Sequence, residues 1–145
     1  MASIRKEMVT RASPADVWAA IRDVGALHTR LVPGFVVNTT LEPGARIVTF
    51  GNGMVVRELI VDLDDAARRF VWAAEGGTLT HHNGSVQVFA PGDIPPGDSP
   101  PGDTQTKVVW IADFLPNDAA PAMNGAMAAG MDVMRATLDK LASGR

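Results

Sequence analysis

The sequence of 145 residues contains no cysteine and no tyrosine. Without cysteine there are no disulfides, no thiolate nucleophiles and no cysteine-ligated zinc or iron–sulfur centres, so a metal would need histidine and carboxylate ligands. Without tyrosine there is no phenolic group to act as an acid in an enzyme cavity. No phosphate-binding glycine loop is present either, and we expect neither a metal nor another cofactor.

Blocks of like charge and long apolar runs are also missing. Thirteen Lys and Arg against sixteen Asp and Glu give a net charge of -3. The sequence therefore lacks the excess of positive charge that is typical of proteins that bind nucleic acid. No window approaches the ~18 apolar residues that span a bilayer, and the N-terminus lacks the apolar segment of a signal peptide. We therefore expect a cytoplasmic protein with no integral membrane segment, folded as a single domain over residues 1–145 and present as a monomer or homodimer.

Methionine is concentrated near the C-terminus, where the pattern predicts one helix from Asp118 to about Ala142. Apolar side chains recur there every three or four residues, at Met123, Met127, Met131, Met134, Leu138 and Leu141. At about 100° per residue they form one stripe. Methionine suits surfaces that fit irregular shapes, so the stripe is either ordinary core or the wall of a cavity. Gly130 at its edge costs the helix about 1 kcal/mol relative to alanine, which a close approach by the sheet or a ligand would justify.

At the other end of the chain, a strand is predicted over Ile4–Arg11, followed by a helix. Ser13 can cap the first turn of that helix, and Asp16 places negative charge at the positive end of the helix dipole. The helix is expected to end near Gly25, with a further short turn or helix over Leu27–Leu31.

Between the two helices the hydrophobic period changes from 3.6 to 2, which predicts six β-strands. They are Phe35–Leu41, Ala45–Phe50, Met54–Leu63, Arg69–Glu75, Thr80–Phe89 and Lys107–Leu115. Short connections rich in Gly, Pro, Asn and Asp predict hairpins and an antiparallel meander. The one long connection, residues 91–105, repeats Pro-Gly-Asp three times; we interpret it as a mobile loop, with a lid or partner motif as the alternative.

Alternation along the strands predicts which side chains face the core. The inward set is Phe70, Trp72, Ala74, His82, Gly84, Val86, Val88, Thr106, Val108, Trp110, Ala112 and Phe114. His81 and His82 are adjacent and so point to opposite faces, which argues against a paired-histidine metal site. Arg57 and Glu58 also lie on opposite faces, so one of the two is expected to be a buried charge that needs a partner.

This order of elements resembles the START-like, or SRPBCC, superfamily, and within it the polyketide cyclase/dehydrase and lipid-transport group. The Ser-Pro-Ala-Asp-Val-Trp helix start at 13–18, the meander ending in the segment 110–116 and the long terminal helix carry the resemblance. It implies an α+β helix-grip fold: a curved antiparallel sheet of about seven strands wrapped around the C-terminal helix, with one or two short helices after strand 1 and an apolar cavity between sheet and helix. It transfers no catalytic set, because cyclases, dehydratases, carriers and chaperone-like regulators share the fold.

The side chains expected to line that cavity come from the strands and the C-terminal helix. They are Phe35, Trp72, His82, Val86, Trp110, Met123, Met127, Gly130, Met131 and Met134. His82 is interpreted as a group that orients a ligand, as an acid or base, or as a structural histidine.

Three functions remain open at this point. The leading expectation is binding or carriage of a small-to-medium hydrophobic molecule, because such pockets need apolar walls with few orienting polar groups. The alternative is a polyketide cyclase/dehydratase-like enzyme acting on an apolar or aromatic substrate, with His82, Arg57 and Glu58 as candidate catalytic residues. The second alternative is a partner-binding regulatory module, which would expose an apolar patch of several hundred Å².

Overall fold

The computed structural model describes residues 2–93 and 106–144, and most of the Pro-Gly-Asp loop predicted over 91–105 lies outside these residues. Seven strands form one antiparallel sheet in the order β1-β7-β6-β5-β4-β3-β2. They are β1 (Ala2–Thr10), β2 (Val36–Glu42), β3 (Ala45–Phe50), β4 (Val55–Asp64), β5 (Arg69–Glu75), β6 (His81–Phe89) and β7 (Thr106–Leu115). The predicted meander is confirmed from β2 to β7, and β1 completes the sheet beside β7.

Helix α1 (Pro14–Arg22) follows β1 and begins as its sequence predicts. The Ser13 hydroxyl accepts the backbone N–H of Asp16 at 3.1 Å, which satisfies one of the free donors of the first turn. The helix ends before the predicted Gly25 because the backbone of Asp23 leaves the helical region. A 3-10 turn (Val24–Ala26) and a π-helical turn (Leu27–Leu31) then lead to β2.

Helix α2 (Ala120–Ser143) is the long C-terminal helix, within two residues of its predicted limits. Its C-terminal part is fastened to the end of β1, where Asp139 Oδ1 accepts the Thr10 hydroxyl at 2.6 Å and the Arg11 backbone N–H at 2.9 Å. Met131, Met134 and Leu138 pack in the main core, whereas Met127 packs with Ala112 and Phe114 in a second cluster.

The curved sheet, the long helix α2 and the short helices after β1 together form the predicted α+β helix-grip fold, which is confirmed. Most inward positions on β6 and β7 are also buried as alternation predicts, with Val108, Ala112 and Phe114 fully buried, although the outward Val109 is buried as well. No helix among the described residues is long and apolar enough to cross a membrane.

Candidate ligand-binding cavity

A cavity of about 420 Å³ lies between the sheet and helix α2. It falls within the ~300–1,000 Å³ range of small-molecule sites. Strands β2 to β7, the segment 27–36 and helix α2 all contribute to its wall. Five of the eight Phe and Trp residues of the chain line it, namely Phe35, Phe50, Phe70, Trp72 and Trp110. The wall is therefore mainly apolar and rich in aromatic rings.

Eight of the ten side chains predicted to border a cavity lie on this wall. They are Phe35, Trp72, His82, Val86, Trp110, Met123, Met127 and Met134. Met131 is not among them, although it packs in the same core cluster as Met134. Each step of four residues turns a helical side chain by about 40°, and this rotation carries Met131 away from the wall that Met127 occupies.

Gly130, the other predicted lining residue, lies behind the wall. A Cβ at this position would lie 3.1 Å from Trp110 Cζ3 and 3.2 Å from Phe35 Cε2. The two rings therefore cover the helix backbone at Gly130 and present their other surfaces to the cavity. The close approach expected at this glycine is present, and side chains from the sheet and from the segment before β2 make it.

Of the two charged neighbours on β4, Glu58 faces the cavity and Arg57 does not. Arg57 lies on the opposite face, where it pairs with Glu42 and with Glu75, the latter at 2.8 Å. Of the two candidates, the structure therefore places Glu58 at the cavity and Arg57 outside it, because neighbouring residues of a strand point to opposite faces. Hydrogen bonds to the two carboxylates raise the pKa of Arg57, which stays charged.

Glu58 is buried and has its own counter-charge, Arg46 on β3. Glu58 is 7% exposed and Arg46 4% exposed, with 2.8 Å between Arg46 Nε and Glu58 Oε1. Arg46 Nη1 also donates to the Val24 carbonyl at 3.2 Å, and its guanidinium carbon lies 5.1 Å from the centre of the Phe70 ring. The buried guanidinium of Arg46 therefore contacts a carboxylate, a backbone carbonyl and an aromatic ring, which together compensate for its removal from water.

Arg46 is a polar cavity residue that the sequence analysis missed. Two features of the sequence indicate that Arg46 faces inward opposite Glu58. Arg46 alternates in phase with the apolar Val48 and Phe50, which makes it an inward charge, and the hairpin turn at 51–53 sets the register that places it opposite Glu58. Register between two strands joined by a short turn can be read from the sequence, and here it pairs the two buried charges.

His82 lines the cavity as a neutral ring. Its Nδ1 accepts the backbone N–H of Ala74 at 3.1 Å, and because a nitrogen that accepts carries no proton, the neutral ring carries its proton on Nε2. The pKa of His82 is lowered to about 4, chiefly by burial and also by the charge of His81, while Asp113 opposes the shift. At neutral pH His82 thus presents an Nε2–H donor and has no free basic nitrogen.

Trp110 contributes a second donor, an indole N–H that is buried. Within residues 2–93 and 106–144, it is the one buried side-chain nitrogen or oxygen with no hydrogen-bond partner. Leaving a buried donor unpaired costs about 1–3 kcal/mol. Trp72 neighbours both donors: its ring centre lies 6.2 Å from that of His82 and 6.3 Å from that of Trp110.

Three other polar residues, His28, Asp113 and Ser13, do not line the cavity. His28 contacts Thr39, with 3.1 Å from Nδ1 to Oγ1, and Asp113 accepts the Ser3 hydroxyl at 2.6 Å. Ser13 is the cap of α1. In the part of the chain that the structure describes, no three His, Asp or Glu residues lie close enough together to hold a metal ion.

The sequence matches a family model described as polyketide cyclase / dehydrase and lipid transport over residues 1–143. The chain belongs to this family. The resemblance that its sequence predicts is thereby confirmed. A comparison with proteins of curated function found no match.

Solved structures similar to this family member share its fold. XoxI from Bacillus cereus is 18% identical, with a TM-score of 0.79 over 97% of this chain and 98% of that protein. The di-domain ARO/CYC protein BexL of the BE-7585A biosynthetic pathway is 15% identical, with a TM-score of 0.75 over 96% of this chain and 47% of BexL. A START superfamily protein from Mycobacterium smegmatis is 10% identical, with a TM-score of 0.67 over 98% and 97% of the two chains. Family and fold are consistent with hydrophobic ligand binding or with a polyketide cyclase-like function.

Proposed function

We propose that this protein binds a small-to-medium hydrophobic molecule in the cavity between its sheet and helix α2, and carries it without chemical change. One observation carries the proposal: a cavity of about 420 Å³ has a wall that is mainly apolar, with few polar side chains. Binding pockets for small molecules combine an apolar wall with a few polar groups that fix orientation. The methionines of α2 suit this role because their flexible, polarizable side chains adapt to the shape of a ligand.

The state of the polar side chains favours binding over catalysis. His82 has no free basic nitrogen at neutral pH, because Nδ1 accepts from Ala74 and Nε2 carries the proton. The Oε1 atom of Glu58 is held at 2.8 Å by Arg46 Nε, so the carboxylate already has a partner within the protein. Both groups are therefore engaged by other parts of the protein rather than placed to take a proton from a substrate.

Native mass spectrometry of the protein purified from its own cells tests this proposal. We expect a fraction of the protein to carry one organic molecule, released by denaturation and recovered by extraction with solvent. A protein that carries no such molecule, and that binds none when incubated with a lipid extract of the same cells, would contradict the proposal. Met127→Trp is the matched variant, since a larger side chain on the cavity wall should reduce the fraction with retained ligand.

A cyclase- or dehydratase-like activity is the second candidate, and one arrangement favours it. Glu58 is paired across the strands with Ala74, whose N–H is bound by His82. The carboxylate and the imidazole therefore come from one row of the sheet, about two strand spacings or ~10 Å apart, and face the same cavity. If they act on substrate, cyclisation of a poly-β-ketone should fall about 10²–10⁴-fold in Glu58→Gln or His82→Gln, with little change in substrate binding.

A further inference from the structure

We propose that the ligand is a flat, uncharged apolar molecule that carries at least one acceptor oxygen, such as a ketone, and that Trp110 Nε1–H and His82 Nε2–H are the donors that bind its oxygen atoms. This inference rests on the proposed binding function and adds the chemical class of the ligand.

The indole of Trp110 supplies the first reason. Its N–H is buried and has no partner among the described residues, although Trp110 lies on the cavity wall. Buried polar groups in folded proteins are nearly always hydrogen-bonded, and each exception calls for an explanation. A ligand oxygen within reach of this N–H satisfies it, whereas a hydrocarbon leaves it unpaired.

His82 supplies the second reason, through its fixed tautomer. Because the Ala74 N–H occupies Nδ1, the ring presents Nε2–H as a donor. The contact with Ala74 also holds the orientation of the ring, so this donor is positioned before a ligand arrives. His82 and Trp110 therefore both donate, and a partner for both needs acceptor oxygens; a carbonyl oxygen accepts without bringing a donor that needs a partner of its own.

The charges on the wall argue against an anionic ligand. Among the described lining residues the only cation is Arg46, and Glu58 already pairs with it at 2.8 Å. A ligand carboxylate would therefore enter an apolar space with no free counter-charge and with the carboxylate of Glu58 nearby. Burial of an unpaired charge is costly, so the cavity favours uncharged oxygen atoms such as those of ketones.

The aromatic lining favours a flat molecule. Phe70 and Trp72 stack with 5.4 Å between ring centres and an angle of 18° between ring planes. Gly84 beneath Trp72 has no side chain, and a Cβ there would lie 2.8 Å from Trp72 Cε2. This glycine lets the indole lie close against the sheet, and the same indole lines the cavity. Planar molecules stack well on such surfaces.

Three matched naphthalenes test the inference by calorimetric titration: 2-acetylnaphthalene, which has a ketone, 2-ethylnaphthalene, which has no acceptor, and 2-naphthoate, which is an anion. We expect the ketone to bind roughly two- to tenfold more tightly than the hydrocarbon, the usual range for a neutral hydrogen bond, and the anion to bind most weakly. Trp110→Phe should reduce the preference for the ketone while leaving affinity for the hydrocarbon nearly unchanged. Trp18→Phe is the control, because the indole of Trp18 donates to Asp65 at 2.8 Å and does not line the cavity.

Proton–nitrogen NMR of the wild-type protein gives a readout that needs no variant. The chain has three tryptophans and so three indole N–H signals. The ketone should move the Trp110 signal downfield more than the hydrocarbon does, and should leave that of Trp18 in place. Equal affinity of wild type for ketone and hydrocarbon, or a full ketone preference in Trp110→Phe, would overturn the inference and leave the proposed function standing. Failure of all three compounds to bind would overturn the proposed function, and the inference with it.

Discussion

The ring of His82 is buried in the folded protein and exposed to water in the unfolded chain. Its pKa is lowered from 6.5 to about 4, chiefly because burial disfavours the charged ring. Between these two values the unfolded chain binds more protons than the native protein, so stability falls as the pH is lowered through this window. The contribution is fully present above pH 6.5 and is lost as the pH approaches 4.

A pH series of urea denaturations measures this contribution. From pH 7 to pH 5, we expect His82 to account for a loss on the order of 2 kcal/mol in the free energy of unfolding. His82→Gln should lack most of that loss, and His81→Gln should keep it, since His81 is exposed. Equal pH dependence in wild type and His82→Gln would show that His82 is not buried as a neutral ring.

At the scale of residues, the sequence predicted which side chains face inward better than it predicted which atoms they contact. It placed His82 inward by alternation and required one buried charge among Arg57 and Glu58, and the structure has Glu58 in that role. It did not reveal the hydrogen bond from the Ala74 N–H to His82 Nδ1. Alternation predicts the face of a side chain but not which backbone group of a neighbouring strand it contacts. The sequence also could not show that the Trp110 N–H has no partner, because whether a donor is hydrogen-bonded depends on all the groups that surround it in the folded protein.

The hairpin of β3 and β4 has a buried ion pair on one face of the sheet, and on the other face an arginine that pairs with a carboxylate of β2 and one of β5. Arg46 and Glu58 are buried on the cavity side, and Arg57 is exposed on the other. Removing one partner of a buried pair leaves an uncompensated charge, which typically costs about 3–5 kcal/mol, whereas an exposed pair contributes about 0–1 kcal/mol.

Substitutions in this hairpin should separate the buried pair from the exposed arginine. We expect Glu58→Gln to lower the free energy of unfolding by about 3–5 kcal/mol and Arg57→Gln to change it little. The double variant Arg46→Met/Glu58→Met should recover most of the loss, because it removes both charges together. Chemical denaturation of the four proteins checks this, and a similar small loss in Glu58→Gln and Arg57→Gln would argue against burial of Glu58.

Two glycines of helix α2 make a matched pair. Nothing lies within 4 Å of a Cβ built at Gly125, whereas at Gly130 it would meet Trp110 and Phe35 at 3.1 Å and 3.2 Å. Gly125→Ala should therefore stabilise the protein by about 0.5–1 kcal/mol through helix propensity alone. Gly130→Ala should be at least about 1 kcal/mol less favourable, because two rings must move. Thermal and urea denaturation compare them; an equal gain in both would mean that the rings do not rest on Gly130.

At the scale of elements, periodicity predicted the strands and helices to within about three residues at each end. The error at α1 came from Asp23, whose backbone leaves the helix although the apolar spacing continues to Val24. Met131 was expected on the cavity wall and is absent from it for a different reason. The apolar stripe of a helix is more than one side chain wide, and sequence spacing alone does not say which edge of the stripe faces a cavity and which faces the core.

At the scale of the whole molecule, the order of elements led to the fold, and the fold led to the cavity. Alternation assigns a face to each side chain, but the size of a space depends on how far α2 stands from the sheet. That distance follows from sheet curvature and from contacts such as Asp139 with the end of β1. These contacts are separated by more than 100 residues in the sequence, which is why the volume of about 420 Å³ could not be read from it.

The most direct test of ligand binding in this cavity is a fluorescence titration with N-phenyl-1-naphthylamine, a neutral apolar fluorophore. Wild type should bind about one molecule with saturation. Met127→Trp places bulk on the cavity wall and should weaken binding about tenfold or more, while costing about 1–3 kcal/mol of stability or less because space is available. Ala129→Trp, on the exposed side of the same helix, should bind like wild type. Equal affinity in a folded Met127→Trp protein, or no saturable binding by wild type, would contradict the cavity as the site.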